Sequence, residues 1–267
     1  MSRGEPAISH TDDANPTPYL SVVIPAFNEE RRLPDTLDRL EAYLRLQAYS
    51  WEIVVVANGC SDRTEDVAKS ATEQNDAIRL VSLRDRGKGL ASKAGALRSR
   101  GEIIFLCDAD LSMPPETIEQ FLEAIRSCDL VAGSREAPGA HRYDEPWHRH
   151  LMGRVFNRVV QILLIPGVRD TQCGFKALRH RAARELFGQQ TIVGWGFDVE
   201  LLYLARKYGF TVRELPIEWY FDSDTRVRPG VDSLRMFGEV LYVRLSDALG
   251  HYRPRRDLPG TRREDIV

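Results

Sequence analysis

Residues 101–118 read GEIIFLCDADLSMPPETI. The unbroken apolar run 103–107 has the pattern of a strand buried on both faces, as in parallel sheets. It stops at two carboxylates, Asp108 and Asp110, and Pro114 and Pro115 follow where a new helix would begin. In open α/β sheets, ligands bind beyond the carboxyl ends of the strands. The acid pair therefore has two readings. It is an ordinary polar loop with a helix cap, or it offers oxygen ligands to a hard divalent cation that in turn holds phosphates.

The same grammar recurs upstream. An apolar run at 20–24 is stopped by Pro25 and leads into an acidic-tipped loop. Leu33, Leu37, Leu40 and Leu44 then recur at helical spacing within 33–47, a core-facing stripe. A second strand at 53–56 runs into a turn at Gly59, and Ser61 or Asp62 is placed to cap a helix reaching about residue 74. A third strand, 78–83, leads through the loop RDRGKG to a helix at 90–98. Strand–helix alternation of this kind predicts a parallel, doubly wound sheet. Right-handed crossovers would then set the loops 25–30, 57–62, 84–89 and 108–112 along one crevice.

Beyond the crevice loops, a short strand at 130–132 ends at Ser134 and Arg135. A mobile loop is expected at 137–150, where Pro138, Gly139 and Pro146 cluster. His141, His148 and His150 in that loop fit no standard zinc spacing and read as solvated. A helix at 149–165 follows, with Arg149, Arg154 and Arg158 set among Val155, Phe156, Val159, Ile162 and Leu163. A helix from Asp198, a strand over 211–220 and an amphipathic C-terminal helix complete the α/β chain.

Composition narrows the function. Lys and Arg total 37 against 39 for Asp and Glu, a net charge of −2 that argues against nucleic-acid binding. The four cysteines form no Cys-x-x-Cys pair and read as reduced thiols, without a disulfide framework or zinc site. No apolar run approaches the roughly 18 residues of a membrane span. No basic segment leads into an apolar one at the N-terminus, so a signal peptide is not expected. The expected organisation is a disordered leader at 1–18, one folded domain at 19–250 and a basic flexible tail at 251–267. The expected location is cytoplasmic, with any membrane contact peripheral and through surface helices such as 155–165 or 233–249.

Lys88 between Gly87 and Gly89 suggests a phosphate contact, but the P-loop pattern is absent. No Gly-x-Gly-x-x-Gly follows the first strand, which argues against a dinucleotide dehydrogenase. A cation-held diphosphate with a base and sugar reaching into side loops fits better. The cation would neutralise charge on a departing nucleoside diphosphate, as in group transfer from a nucleotide sugar.

The runs SVVIPAFNEE, SDRT after the Gly turn, RGKG and DADLS together resemble family 2 glycosyltransferases of the GT-A fold, with a mostly parallel central sheet flanked by helices. VAGSR, VRDTQCGFKAL, GWGFDVELLYLARKYG and ELPIEWY are similar to dolichyl-phosphate β-glucosyltransferases and bacterial polyprenyl-phosphate relatives. The likeness spans about 19–249, and RDTQCGFK is its most specific run.

The resemblance implies that Pro25, Ala26, Asn28 and Glu29 border the nucleotide sugar, with Asn58, Asp62 and Lys88 nearby. It implies Mg²⁺ or Mn²⁺ on Asp108 and Asp110. Arg135 would meet an acceptor phosphate, helped by Arg149 or Arg154, and Gln172, Trp195 and Asp198 would wall the sugar and acceptor side. Gly174, Phe175 and Trp195 have packing as an equal alternative. Two departures stand out. Ala57–Asn58 occupies the place of paired acids that would read the base, leaving UDP against GDP open, and the relatives' membrane helices are missing.

The expected reaction is inverting transfer of a hexose, glucose from UDP-glucose, to a polyprenyl phosphate, with Asp110, Arg135 and Asp198 as the catalytic candidates. A phosphate monoester is mostly dianionic near neutrality and needs positioning more than a base. The rival is transfer to a hydroxyl, with Asp198 as general base. A nucleotidyltransferase releasing pyrophosphate stands further off.

Overall fold

β4 (Ile103–Leu106), within the apolar run 103–107, is the middle strand of a seven-stranded sheet and is buried along its whole length. The computed structural model describes residues 17–222, 224 and 231–252. The expected leader and basic tail fall outside the described residues, apart from 17–18 and 251–252.

The sheet runs β3–β2–β1–β4–β7–β5–β8. β1 (Leu20–Ala26) pairs in parallel with β2 (Trp51–Asn58) and with β4, and β2 pairs in parallel with β3 (Ile78–Leu83). β5 (Leu130–Ser134) and β8 (Val212–Pro216) are also parallel to each other. β7 (Lys176–Arg179) is inserted between β4 and β5, antiparallel to both. The sheet is therefore mostly parallel, with one reversed strand.

Alternate residues of the central strands serve opposite faces, as the two-residue period of a strand demands. Val22, Ile24, Ile53 and Val55 pack on one side with α1 (Leu33–Leu44) and α4 (Ile118–Ala124). Val23, Val54 and Val56 pack on the other with α3 (Lys88–Arg98), α6 (His180–Gln189) and α7 (Phe197–Lys207). The four leucines of the α1 stripe are all buried, each worth about 2 kcal/mol of transfer free energy. α3 approaches the sheet so closely that a Cβ on Gly95 would lie 2.3 Å from Val23 Cγ1.

Several boundaries differ from expectation for identifiable reasons. Pro25 does not stop β1, which continues to Ala26. Val23 O accepts from Cys107 N, so Pro25, two residues on, faces the β4 side just past the last β1–β4 pair. Its missing N–H is not needed there. The 137–150 segment is not a plain loop. β6 (His141–Tyr143) pairs with β9 (Glu218–Tyr220) in a separate two-stranded ribbon, and α5 (Trp147–Leu163) already begins at Trp147. Tyr143 and Tyr220 stack across that ribbon at 4.6 Å. The expected single strand at 211–220 is thus two strands in two sheets.

The helix expected after β2 is α2 (Thr64–Gln74), ended by Asn75 in an extended conformation. The chain ends its described part in α8 (Val231–Ala248), which packs against α5 and α7. Among the described residues no helix is long and apolar enough to cross a membrane.

Candidate active site

The carboxyl ends of β1, β2 and β4 and the N-terminus of α3 open on one crevice of about 590 Å³. Each of the four loops expected there contributes to its wall: Pro25, Phe27 and Glu29 from the first, Asn58 from the second, Arg86 to Lys88 from the third, Asp108 and Asp110 from the fourth. The parallel register brings these ends together because each strand is followed by a return helix on the far side of the turn.

Not every expected residue faces the cavity. Ala26 is buried and its carbonyl accepts from Asn58 Nδ2 at 2.7 Å. Asn58 is itself spent on backbone, since its Oδ1 also accepts from Gly87 N at 3.0 Å. It ties the loop carrying Lys88 to the sheet. Asn28 sits in the left-handed region (φ 55°), and its Oδ1 accepts from Ser61 N. Asp62 lies away from the wall and organises the start of α2, accepting from Thr64 N, Thr64 Oγ1 and Glu30 N. Burial pushes its carboxyl up, but those hydrogen bonds win and hold it below the ordinary value. Glu29 faces the crevice in a two-point pair with Arg32, and Arg32 also reaches Asp222.

Asp108 and Asp110 share a tight turn in which Leu111, at φ 43°, donates its N–H to Asp108 O. Asp110 Oδ1 accepts from Ser112 N at 3.2 Å. Burial and the charge of Asp108 raise the Asp110 carboxyl to about 6. Two neighbouring carboxylates held in that state fit a divalent cation, which would relieve the repulsion that raises Asp110. Among the described residues no third His, Cys, Asp or Glu joins them. The remaining ligands would come from a bound diphosphate and water, the usual situation for Mg²⁺-type sites.

Lys88 Nζ stands 2.6 Å from Asp108 Oδ1 and 5.2 Å from the centre of the Trp195 ring. Burial opposes its charge, yet Asp108 and Asp198 keep the ammonium firmly protonated. Asp198, at the start of α7, is held by Lys176 Nζ at 2.5 Å. Burial raises its carboxyl, against the pull of Lys176 and Lys88. Asp108, Lys88 and Asp198 thus line the crevice with alternating charge, and Lys176 lies buried behind Asp198.

On the opposite wall, Arg135 is committed to Asp170 through two hydrogen bonds of 2.7 and 3.0 Å. Burial opposes both charges, but the pairing holds Asp170 far below and Arg135 far above their ordinary values. Arg135, expected to meet an acceptor, lines the crevice in that two-point pair, 5.3 Å from the centre of the Trp219 ring. Arg149 lies over Phe221, 4.9 Å from the ring centre. Burial, reinforced by Arg135, lowers its pKa despite Glu145. Arg154 is more exposed and only 4.0 Å from Glu136. Gln172 lines the crevice and donates to Met236 Sδ.

Sequence reading passed over Asp170 and Lys176, although both stand in the run RDTQCGFK. The run touches the site at three points. Asp170 pins Arg135, Lys176 pins Asp198, and Gly174 abuts Asp108 so closely that a Cβ would lie 2.0 Å from Asp108 Oδ2. Glycine is thus needed at 174 for close approach, while Phe175 is buried against Phe105. Arg142 was missed as well. It bridges Glu136 and Glu145 and faces Trp219, fixing the wall that an anticipated mobile loop would have left free. His150 joins Glu136 at 2.9 Å.

The sequence model of the family described as Glycosyl transferase family 2 matches residues 21–187. A dolichyl-phosphate beta-glucosyltransferase of Homo sapiens is 33% identical over 90% of this chain and 79% of its own length. Another from Trichomonas vaginalis is 35% identical over 79% of this chain and 66% of its own. Glycosyltransferase AglD of Haloferax volcanii is 34% identical over 83% of this chain and 36% of its own. Among solved structures, glucosyl-3-phosphoglycerate synthase from Mycobacterium tuberculosis with Mn²⁺, UDP-glucose and phosphoglyceric acid superposes with a TM-score of 0.62 at 21% identity, covering 86% of this chain and 79% of that one. The same enzyme with UDP gives 0.62 at 22% identity, with the same coverage. At that identity the likeness concerns the fold.

Proposed function

The chain belongs to glycosyl transferase family 2, and on that premise we propose that it moves glucose from UDP-glucose, with inversion, to the phosphate of a polyprenyl phosphate. A phosphate oxygen of the acceptor attacks the anomeric carbon as the bond from that carbon to UDP breaks, and UDP leaves as the anion. The relatives named for dolichyl phosphate support the acceptor class, and the UDP-glucose complexes of the structural neighbour support the donor.

The observation that carries the reading is the engagement of Asp198 by Lys176. A hydroxyl acceptor needs a base within hydrogen-bond reach, and Asp198, the carboxylate expected to do that work, already has its Oδ1 taken by Lys176 Nζ. A phosphate monoester needs none, because its second pKa of about 6 leaves it mostly dianionic. What it needs is a cation at the crevice wall to hold it in line. Arg149, which burial and Arg135 leave at a depressed pKa, gains from any anion placed beside it.

On the donor side, Asp108 and Asp110 would hold Mg²⁺ or Mn²⁺. Such an ion, when bound, neutralises charge on the departing diphosphate. Lys88 supplies a second cation at the same place, delivered by the first residue of α3. Trp195 and Gln172 offer a ring and an amide to the sugar. The protein would work against the cytoplasmic face of a membrane.

The test is release of UDP from UDP-glucose, with Mg²⁺ or Mn²⁺, in the presence and absence of a short-chain polyprenyl phosphate. Release that depends on the lipid phosphate supports the proposal. Release that ignores it but answers to alcohols, or release of pyrophosphate from a nucleoside triphosphate, overturns it.

A further inference from the structure

We infer that α5 and α8 together form a docking surface for an anionic lipid bilayer. The inference rests on the lipid acceptor proposed above and adds the face on which the protein would meet it. α5 turns Val160 into the core. With each residue advancing about 100° around a helix, Leu151, Val155 and Ile162 share one narrow stripe opposite Val160. Val155 is 59% exposed and Ile162 71%, and Trp147, at the helix start, is 77% exposed.

α8 repeats the arrangement. Met236, Val240 and Val243 are buried, while Leu234, Leu241 and Leu245 fall on the opposite side, Leu234 being 74% exposed. A helix that buries one apolar face ordinarily turns polar residues outward. Here two neighbouring helices each carry a second apolar stripe facing away from the core.

The charges indicate what covers it. α5 contains three arginines and no Asp or Glu along its 17 residues. In α8 the acids with described side chains are occupied inside the protein: Glu239 accepts from Gly196 N, and Asp247 from Tyr203 Oη and Lys207 Nζ. Arg235 and Arg244 stay exposed. Among the described side chains, the exposed charges of the two helices are Arg154, Arg158, Arg235 and Arg244, which with the outward apolar stripes match the interfacial region of a membrane with anionic headgroups. A second copy of this chain, docked by two-fold symmetry on the same face, would bring arginines against arginines. Met152 and Phe156 of α5 and Met236 of α8 line the crevice wall, so the same two helices stand between the crevice and the outward stripes. One pair of helices would therefore serve both the acceptor's phosphate and its hydrocarbon chain.

The experiment is flotation of the full chain with phosphatidylcholine vesicles, with and without phosphatidylglycerol. It is repeated for the variant L151S/V155S/I162S and for L241S/L245S, none of which lines the crevice. The native chain should float with the anionic vesicles, and each variant should lose at least about tenfold in partition with its circular dichroism unchanged. Turnover of a short, water-soluble polyprenyl phosphate should persist in both variants. No flotation of the native chain, with that turnover intact, overturns the docking surface and leaves the acceptor reading standing. Flotation without turnover of any lipid phosphate supports the surface and overturns the acceptor reading. Self-association in sedimentation velocity that the variants abolish, without vesicle binding, assigns the face to a second copy and overturns the inference.

Discussion

Lys176 Nζ lies 2.5 Å from Asp198 Oδ1, and neither side chain has appreciable contact with water. The pair joins the first residue of β7 to the first turn of α7 and holds the carboxylate that would otherwise serve as a base. Asp198→Asn should therefore retain turnover on a phosphate acceptor to within about tenfold, since no proton has to be removed. Lys176→Met should destabilise the protein by about 3–5 kcal/mol, by leaving a buried charge unpaired. The double variant should recover much of that loss. Thermal unfolding and steady-state kinetics check both halves. A loss of several orders of magnitude in folded Asp198→Asn would sink the phosphate mechanism.

Gly174→Ala places a methyl group on the Asp108 carboxylate. The fold should survive, because the clash is with one side chain at the edge of the crevice. Binding of Mn²⁺ with UDP should weaken by at least about tenfold as Asp108 is displaced. Calorimetric titration of Mn²⁺ and UDP, beside a melting curve, separates the two effects.

Asp110 carries a pH signature. Its folded pKa of about 6 lies above the ordinary aspartate value of 3.8, so the folded state binds the proton more tightly than the unfolded one. That contribution to stability is full below about 3.8 and is lost as the pH rises through about 6. Asp110→Asn should accordingly raise the melting temperature of the metal-free protein more at pH 7.5 than at pH 4. Mn²⁺ affinity of the native chain should fall as the pH drops below about 6, where the metal must displace the proton.

Arg149 and Arg135 should separate cleanly. Arg149→Met removes a guanidinium that lines the crevice over Phe221, so KM for the acceptor phosphate should rise by about tenfold or more, with a smaller loss of stability than in Arg135→Met. Arg135→Met strips Asp170 of its partner and should destabilise the fold by about 3–5 kcal/mol. Acceptor titrations and melting curves, taken on both variants, distinguish a binding arginine from a structural one.

Lys88→Met should tighten Mn²⁺ binding to the nucleotide-free protein, because Lys88 now neutralises Asp108. The same change should weaken UDP-glucose binding, which gains from the ammonium when the diphosphate arrives. Titration of Mn²⁺ alone and of the donor with Mn²⁺ reads the opposite signs.

Much of this was written in local pattern. The apolar runs before Pro25, Asn58 and Asp108 set out the strands, and the leucines of α1 set out a return helix. Their alternation alone required a crevice lined by four loops. The acids at 108 and 110 and the lysine at 88 were legible because each sits where a strand ends or a helix starts. Chain order could not supply the partners. Asp170 and Arg135 are 35 residues apart, Lys176 and Asp198 22, and only the antiparallel insertion of β7 between β4 and β5 brings Gly174 against Asp108. Which charge is spent on the protein and which is left for a ligand depends on distances of a few ångströms in a low-dielectric interior. Periodicity is a property of neighbours along the chain, so the sequence determined the alternating strands and helices of the first half; the reversed β7, the β6–β9 ribbon and the pairing of buried charges are properties of neighbours in space, and the tertiary structure alone decided them.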